Sequence, residues 1–136
     1  MRNLTSKRLK AFTLTEVLIA MIIVGILVLL ALPSLMPLIS NAKGTEAQLQ
    51  LEHVYTLEKN YFYMYSKYSS SLDEIGFEAS KSSKEGGNAN YKIEITESGD
   101  KNFRARASAI VDFDGDGTFN IWEIDQDKKL KEVTKD

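Results

Sequence analysis

The chain has 136 residues, about the length of one domain, and it contains no cysteine, which excludes disulfide scaffolds and cysteine-based metal or redox sites. With 17 basic and 19 acidic residues, its formal net charge of -2 provides no bulk attraction to nucleic acid. The charges are nevertheless unevenly distributed. Residues 1–10 contain basic side chains and no acidic one, whereas residues 12–42 contain a single ionisable side chain, Glu16.

The first element is an apolar segment that begins at Phe12 and reads FTLTEVLIAMIIVGILVLLAL. A helix of this length spans about 30 Å, the thickness of the hydrocarbon core of a bilayer. A cleaved secretory signal is the alternative, but its apolar region usually covers about 7–15 residues and ends at a small-residue cleavage site. We therefore predict a membrane anchor at residues 12–33. The basic leader, residues 1–11, is expected to stay on the cytoplasmic side.

Glu16 is the unusual residue of this segment, because a carboxylate at the centre of a membrane helix costs about 2.5–3.5 kcal/mol. In one interpretation it lies close enough to the end of the helix to reach the lipid headgroups. In the other it pairs with a cation, and a cut between Ala11 and Phe12 would create an α-amino group about 6 Å away along the helix axis. Proximity alone does not decide between the two.

The sequence KAFTLTEVLIAMIIVGILVLLALP, residues 10–33, resembles the N-terminus of type IV pilins and type II secretion pseudopilins. The resemblance implies that prepilin peptidase cuts between Ala11 and Phe12 and methylates the new amine of Phe12. It also implies that Glu16 sets the register of assembly by neutralising the Phe12 amine of a neighbouring subunit. Ala11 departs from the family pattern, in which glycine is usual at this position.

From the same resemblance we expect a structural subunit of a type IV pilus or a type II secretion pseudopilus, and no enzyme. The precursor is expected to cross the inner membrane once, with its C-terminal domain in the periplasm. An inner-membrane assembly platform would then add it to a homopolymer of pilin subunits. Gly25 and Pro33 lie where many pilins carry a pair that lets the helix melt on assembly, although an ordinary kink would also explain Pro33.

Beyond Pro33 the apolar residues recur at intervals of three and four, which predicts an amphipathic extension of the helix over residues 34–68, helical to about Tyr65. Its apolar face must be buried against the remainder of the chain. The aromatic run between Tyr61 and Tyr68 favours core packing over ligand stacking. His53 has no second histidine or cysteine beside it, so a metal role is not expected there.

Residues 69–136 are expected to form an outward-facing globular region. Alternating apolar and polar residues predict strands that start near Tyr91 and Phe103, and a third strand over Thr118–Asp125. The predicted fold is therefore α+β, with a long N-terminal helix packed on a small antiparallel sheet of about three strands. Arg104 and Arg106 fit a solvated strand face better than contacts with DNA.

The loop DFDGDGTFNIWE, residues 112–123, matches the twelve-residue calcium-loop pattern. Its candidate Ca²⁺ ligands are Asp112, Asp114, Asp116, the Thr118 carbonyl oxygen, Asn120 and Glu123. Predicted strands flank the loop where an EF-hand has helices, so Glu123 can point elsewhere, and a hairpin turn without an ion is the alternative. This loop also leaves a second function open, a membrane-tethered calcium-binding domain that does not polymerise.

Overall fold

The computed structural model of the protein describes residues 11–136, apart from the side chain of Met36. Most of the predicted leader, residues 1–10, therefore lies outside the described residues. The described elements are a helix, a short 3-10 turn and four strands: α1 (Leu14–Tyr65), the turn Ser83–Glu85, β1 (Tyr91–Ser98), β2 (Phe103–Ala109), β3 (Ile121–Asp125) and β4 (Leu130–Thr134). The α+β prediction is confirmed. The chain divides into two compact units, the first ending at Leu35 and the second comprising Met36–Asp136.

The first unit contains the apolar part of α1. This part is long and apolar enough to cross a membrane, and none of that stretch is buried inside the protein. Met21 and Leu30, for example, are each 71% exposed. Gly25 and Pro33 are both helical. Their predicted melting concerns a later, assembled state and stays a prediction.

In the second unit, α1 is amphipathic. Ala47, Leu51 and Val54 are fully buried, and their spacing of four and three residues places them on one face of the helix. The helix ends at Tyr65, as predicted, because Ser66 adopts a positive φ of 57°. The Ser66 amide donates to the Phe62 carbonyl oxygen at 2.8 Å, which closes the last turn.

The sheet is an antiparallel meander in which the strands lie in the order β1-β2-β3-β4. The small antiparallel sheet is confirmed, and it has one strand, β4, beyond the three that were predicted. Its sequence, LKEVT, carries charged residues at two of five positions and has little apolar character. The turn before it places Lys128 at a positive φ of 59°, a conformation uncommon for lysine.

The inner face of β2 closes the core over α1. Phe103, Ala105, Ala107 and Ala109 alternate along the strand and are all buried. The Phe103 ring lies 6.2 Å from the ring of Tyr55 and 4.9 Å from that of Tyr68, measured between centroids. The small alanines let the helix lie close to the sheet, while Phe103 fills the wider end.

The aromatic run only partly confirms the expectation of core packing. Tyr68 is 6% exposed and belongs to the core, and Tyr61 and Phe62 pack against it. Tyr63, Met64 and Tyr65 are 79%, 69% and 58% exposed, so the expectation was wrong for these three. They lie in the last turn of α1.

We expect Phe103→Ala to lower the free energy of unfolding by about 3–5 kcal/mol, because it removes a fully buried aromatic ring and leaves a cavity. Phe119→Ala is the matched control, since Phe119 is 44% exposed, and its effect should stay below about 1 kcal/mol. Urea unfolding of the full chain in detergent micelles, followed by Trp122 fluorescence, measures both. Equal effects of the two substitutions would contradict this description of the core.

Candidate functional site

The start of α1 is stabilised by a reciprocal pair of contacts between Thr13 and Glu16. The carboxylate of Glu16 accepts hydrogen bonds from the Thr13 main-chain amide at 2.8 Å and from its hydroxyl at 2.9 Å. The Thr13 hydroxyl oxygen in turn accepts from the Glu16 amide at 3.3 Å. This is a capping box, and it explains why the helix begins at Leu14. Thr13 was missed in the sequence as a functional residue, although its Thr-x-x-Glu spacing is the signal for such a cap.

The predicted cleavage bond lies just outside this cap. Ala11 and Phe12 belong to no helix or strand, and Phe12 is 84% exposed. Glu16 shares one side of the helix with Phe12, where apolar residues line a shallow groove that includes Val17 and Ala20. The polar contact at Thr13 and the accessible bond at Ala11 are therefore adjacent at the beginning of the apolar helix.

The acidic loop folds through a series of side-chain-to-amide hydrogen bonds. The carboxylate of Asp112 accepts from the amides of Gly115 at 2.6 Å and Gly117 at 2.7 Å. The Asp116 amide donates to Asp114 at 3.0 Å. Both glycines have a positive φ, of 83° and 88°, which side chains other than glycine rarely adopt. These turns hold the loop in a compact form.

Four carboxylates meet at this loop. Those of Asp112, Asp114, Asp116 and Asp136 each offer an oxygen within 4.8 Å of the others. Asp136 follows β4, and its carboxylate accepts a hydrogen bond from the Phe113 amide at 2.9 Å. The main-chain oxygen of Asp136 accepts from the Ser40 hydroxyl of α1 at 2.8 Å. Sequence analysis missed Asp136, because it lies twenty residues beyond Asp116 and outside any loop motif.

The electrostatics of the cluster differ from one carboxylate to the next. Hydrogen bonds from the amide of Gly117, and then that of Gly115, lower the pKa of Asp112. The Asp116 amide acts in the same direction on Asp114. Partial desolvation and the negative charges of Asp116 and Asp136 outweigh it, and the pKa of Asp114 is raised. Crowded carboxylates of this kind favour a cation among them.

The structure does not bring all the predicted ligands to this cluster. Asp112, Asp114 and Asp116 belong to it, and the Thr118 amide donates to Asp116 at 2.6 Å. Asn120 and Glu123 are engaged elsewhere. An EF-hand relies on a helix after the loop to return its last ligand to the ion. Here the strand β3 follows the loop instead.

Asn120 is buried and makes hydrogen bonds to two strands, β1 and β4. Its side-chain oxygen accepts from the Tyr91 hydroxyl at 2.8 Å, and its amide nitrogen donates to Glu132 at 2.7 Å and to the Thr134 carbonyl oxygen at 3.2 Å. Burial, followed by the negative charge of Glu46, raises the pKa of Tyr91, so its hydroxyl stays protonated and donates. Asn120 therefore fastens β1 to β4.

Glu123 lies on the solvent face of the sheet, opposite Arg106 in the register of β2 and β3. Its carboxylate accepts from Arg106 Nε at 2.8 Å and Nη2 at 2.6 Å. Arg104 Nη1 approaches the other carboxylate oxygen at 3.8 Å. The predicted ligand at position twelve of the loop is thus the acid of a cross-strand ion pair.

Two comparisons with known proteins give a match to this chain. Residues 6–32 match the prokaryotic N-terminal methylation motif. The chain is also 37% identical over 70 residues to the type IV major pilin protein PilA of Myxococcus xanthus (strain DK1622). In its matched part, this chain is therefore similar to a type IV pilin. The match covers 52% of this chain and 32% of that relative, so it spans about a third of the relative's length.

The outer face of the sheet carries a row of alternating charges. Glu94 pairs in register with Arg106, Arg106 with Glu123, and Glu123 with Lys131, so that each strand contributes one charge of opposite sign to its neighbour. Opposite charges at directly paired positions stabilise a sheet. Arg106 pairs with Glu123 in this row, and the side chains of Arg104 and Arg106 are 50% and 38% exposed.

We expect Asn120→Ala to lower the free energy of unfolding by about 1–3 kcal/mol, because it leaves the buried Tyr91 hydroxyl and the Glu132 carboxylate without their partner. The loss should be the same with calcium and with a chelator, which distinguishes a structural role from ion ligation. Asn88→Ala, at an exposed position, serves as the control. Denaturant unfolding in micelles measures the effect, and a loss seen only with calcium would assign Asn120 to an ion site.

Proposed function

We propose that this chain is the structural subunit of a filament of the type IV pilus or secretion pseudopilus kind. The observation that carries the proposal is the methylation motif at residues 6–32, placed directly before a helix whose apolar side chains are uncovered. The similarity to a major pilin over 70 residues supports a filament subunit of this kind.

In this proposal the precursor is held in the inner membrane by residues 12–33, with its C-terminal region outside the cytoplasm. Prepilin peptidase removes residues 1–11 and methylates the amine of Phe12. The position of the Ala11–Phe12 bond, outside the helix and exposed, supports access by a protease. Ala11 offers a small side chain at the bond.

The assembly platform then adds the processed chain to a growing homopolymer. Other apolar helices would cover the face of α1 that the sheet leaves bare. Glu16 would neutralise the Phe12 amine of a neighbouring subunit, and in a dry core a slip in register would leave both charges unpaired and costly. Gly25 and Pro33 provide the segment where the helix can lengthen during this step.

We expect mass spectrometry of the assembled protein to find a methylated N-terminus at Phe12. Ala11→Gly should be processed like the wild type, and Ala11→Leu should accumulate as the precursor. Glu16→Gln should be processed and should reach the membrane, but its filament yield should fall by at least an order of magnitude, about 1.4 kcal/mol of assembly free energy. The control, Glu52→Gln, changes an exposed acid farther along α1.

Two results would refute the filament proposal. One is an unprocessed Met1 in the mature protein. The other is a Glu16→Gln variant that forms filaments at the yield and helical symmetry of the wild type.

A second proposal concerns the acidic loop, where we infer that a calcium ion binds. The cluster of four carboxylates supports it, because Ca²⁺ prefers six to eight hard oxygen ligands and these four lie within 4.8 Å of one another. Asp112, Asp114, Asp116 and Asp136 are the ligands that the geometry favours, with the Thr118 carbonyl oxygen as a further candidate. Because the chain has no cysteine, no disulfide can hold its C-terminal region together, and the ion would do so instead.

A membrane-tethered calcium-binding domain that does not polymerise is the rival function, and the same carboxylate cluster favours it. The two functions differ at the N-terminus. The rival function predicts that the chain is not cut before Phe12 and that Glu16→Gln has no effect. The filament subunit predicts that the chain is cut there and that Glu16→Gln impairs assembly. Calcium binding is compatible with either.

We expect calcium to raise the melting temperature of the full chain in micelles, relative to the same sample with chelator. At a free calcium concentration about 100-fold above the dissociation constant, the gain in stability is about 2.7 kcal/mol. Asp136→Asn should reduce this gain, and Asp127→Asn, which changes an exposed aspartate in the β3–β4 turn, should not. Identical melting temperatures with calcium and with chelator would exclude a stabilising ion at this loop.

A further inference from the structure

Glu58, near the C-terminal end of α1, is a carboxyl group without access to solvent. The residue is 0% exposed. Its Oε2 accepts a single hydrogen bond, from the main-chain amide of Ser69 at 3.0 Å. Its Oε1 is buried and has no hydrogen-bond partner in the described part of the chain. No lysine or arginine nitrogen within residues 11–136 forms a salt bridge with it.

A second carboxyl group reaches the same serine from the other side. The Ser69 hydroxyl lies 2.6 Å from Glu74 Oε2, and Ser69 itself is only 2% exposed. Glu74 in turn lies 3.5 Å from the Tyr61 hydroxyl of α1. The titratable groups that face Glu58 are therefore Glu74, from the segment after the helix, and Tyr61, from its own helix. Neither offers a positive charge.

Ser69 belongs to a connecting segment, residues 66–77, that covers one end of the core. Tyr68, Ile75 and Phe77 of this segment are buried, and the Tyr68 amide donates to the Gly99 carbonyl oxygen at 3.1 Å. The hydrogen bond between Ser69 and Glu58 is a buried contact between this segment and α1, beside the more exposed one between Tyr61 and Glu74. The state of Glu58 therefore acts directly on the attachment of the segment.

We infer that Glu58 is a proton-dependent latch, which holds residues 66–77 on α1 while its carboxyl group is protonated and loosens them when it releases its proton to solvent. An ionised carboxylate at this position would be buried without a cation and close to a second carboxylate, so it favours opening of the segment to water. A neutral carboxyl group keeps the contact with the Ser69 amide at little electrostatic cost.

The pKa of Glu58 agrees in direction with this geometry. Burial raises it above the ordinary value of 4.5, and the charge of Glu74 adds to the increase, against the opposing effect of the Ser69 amide. A carboxyl group with a raised pKa stabilises the fold below its ordinary pKa. That stability is lost as the pH rises through the pKa of the folded state. The segment should thus be firmest in mildly acidic medium.

The test is a pH titration of the full chain in detergent micelles with ¹³C-labelled glutamate. We expect the Glu58 carboxyl signal to titrate at a clearly higher pH than that of the exposed Glu52. The hydrogen-exchange protection of the Ser69 amide, corrected for the intrinsic rate, should fall over the same pH range. Titration of Glu58 together with Glu52, or protection of Ser69 that does not follow Glu58, would overturn the inference.

Variants provide an independent readout. Relative to the wild type, Glu58→Gln should gain thermal stability as the pH is raised from about 5 to about 8, because it removes the ionisable proton and keeps an acceptor for Ser69. Glu52→Gln should keep the wild-type pH profile. A constant offset of Glu58→Gln at every pH would assign Glu58 a purely structural role and refute the latch.

Should Glu58→Gln fail to fold, Glu74→Gln still decides the question, because Glu74 is exposed and its removal leaves the core intact. Loss of the neighbouring negative charge should shift the titration of Glu58 to lower pH. An unchanged titration midpoint of Glu58 in this variant would contradict the coupling between the two carboxyl groups.

Discussion

The apolar surface of α1 is larger than the four-stranded sheet can cover. In the second unit the sheet buries Leu51 and Val54 completely, whereas Met21 and Leu30 in the first unit remain 71% exposed. Each Å² of apolar surface removed from water contributes roughly 25 cal/mol. The uncovered part of the helix therefore requires a second apolar environment. A bilayer would provide it for a single chain, and neighbouring helices would provide it in a filament.

Apolar helices that pack on one another have many registers of similar energy, and a polar group can select one of them. Glu16 is the only ionisable side chain within residues 12–42, so it is the group available for this role. In the single chain its carboxylate caps the helix through Thr13. The cap engages Oε2 of the carboxylate, and no salt bridge among residues 11–136 involves Glu16.

The second unit has no disulfide, and buried polar contacts join its elements instead. Asn120 joins β1 to β4, and Asp136 joins the acidic loop to Ser40 of α1. The loop and the helix are thereby linked through one residue. Glu58, near the C-terminal end of α1, makes a comparable link to Ser69. Buried polar contacts of this kind are sensitive to protons and ions in a way that apolar packing is not.

The architecture was largely predictable from sequence, and the two features that were not predicted have physical causes. The apolar start of the helix, its amphipathic part ending at Tyr65 and three of the four strands follow from the pattern of apolar residues. The strand β4 did not, because pairing with β3 compensates for its charged residues and weak local preference. The exposure of Tyr63 to Tyr65 was also missed, since it depends on where the sheet ends beneath the helix.

The candidate sites were likewise predictable from the sequence only in part. The order of amino acids was enough to identify the methylation motif, the apolar helix and the aspartates at 112, 114 and 116, because each of these is a pattern of neighbours along the chain. The fold assigned the partners: Asp136 to the acidic cluster, Glu123 to Arg106 and Glu58 to Ser69. These contacts join residues eleven or more positions apart, and strand register and helix packing, which no local pattern encodes, bring them together.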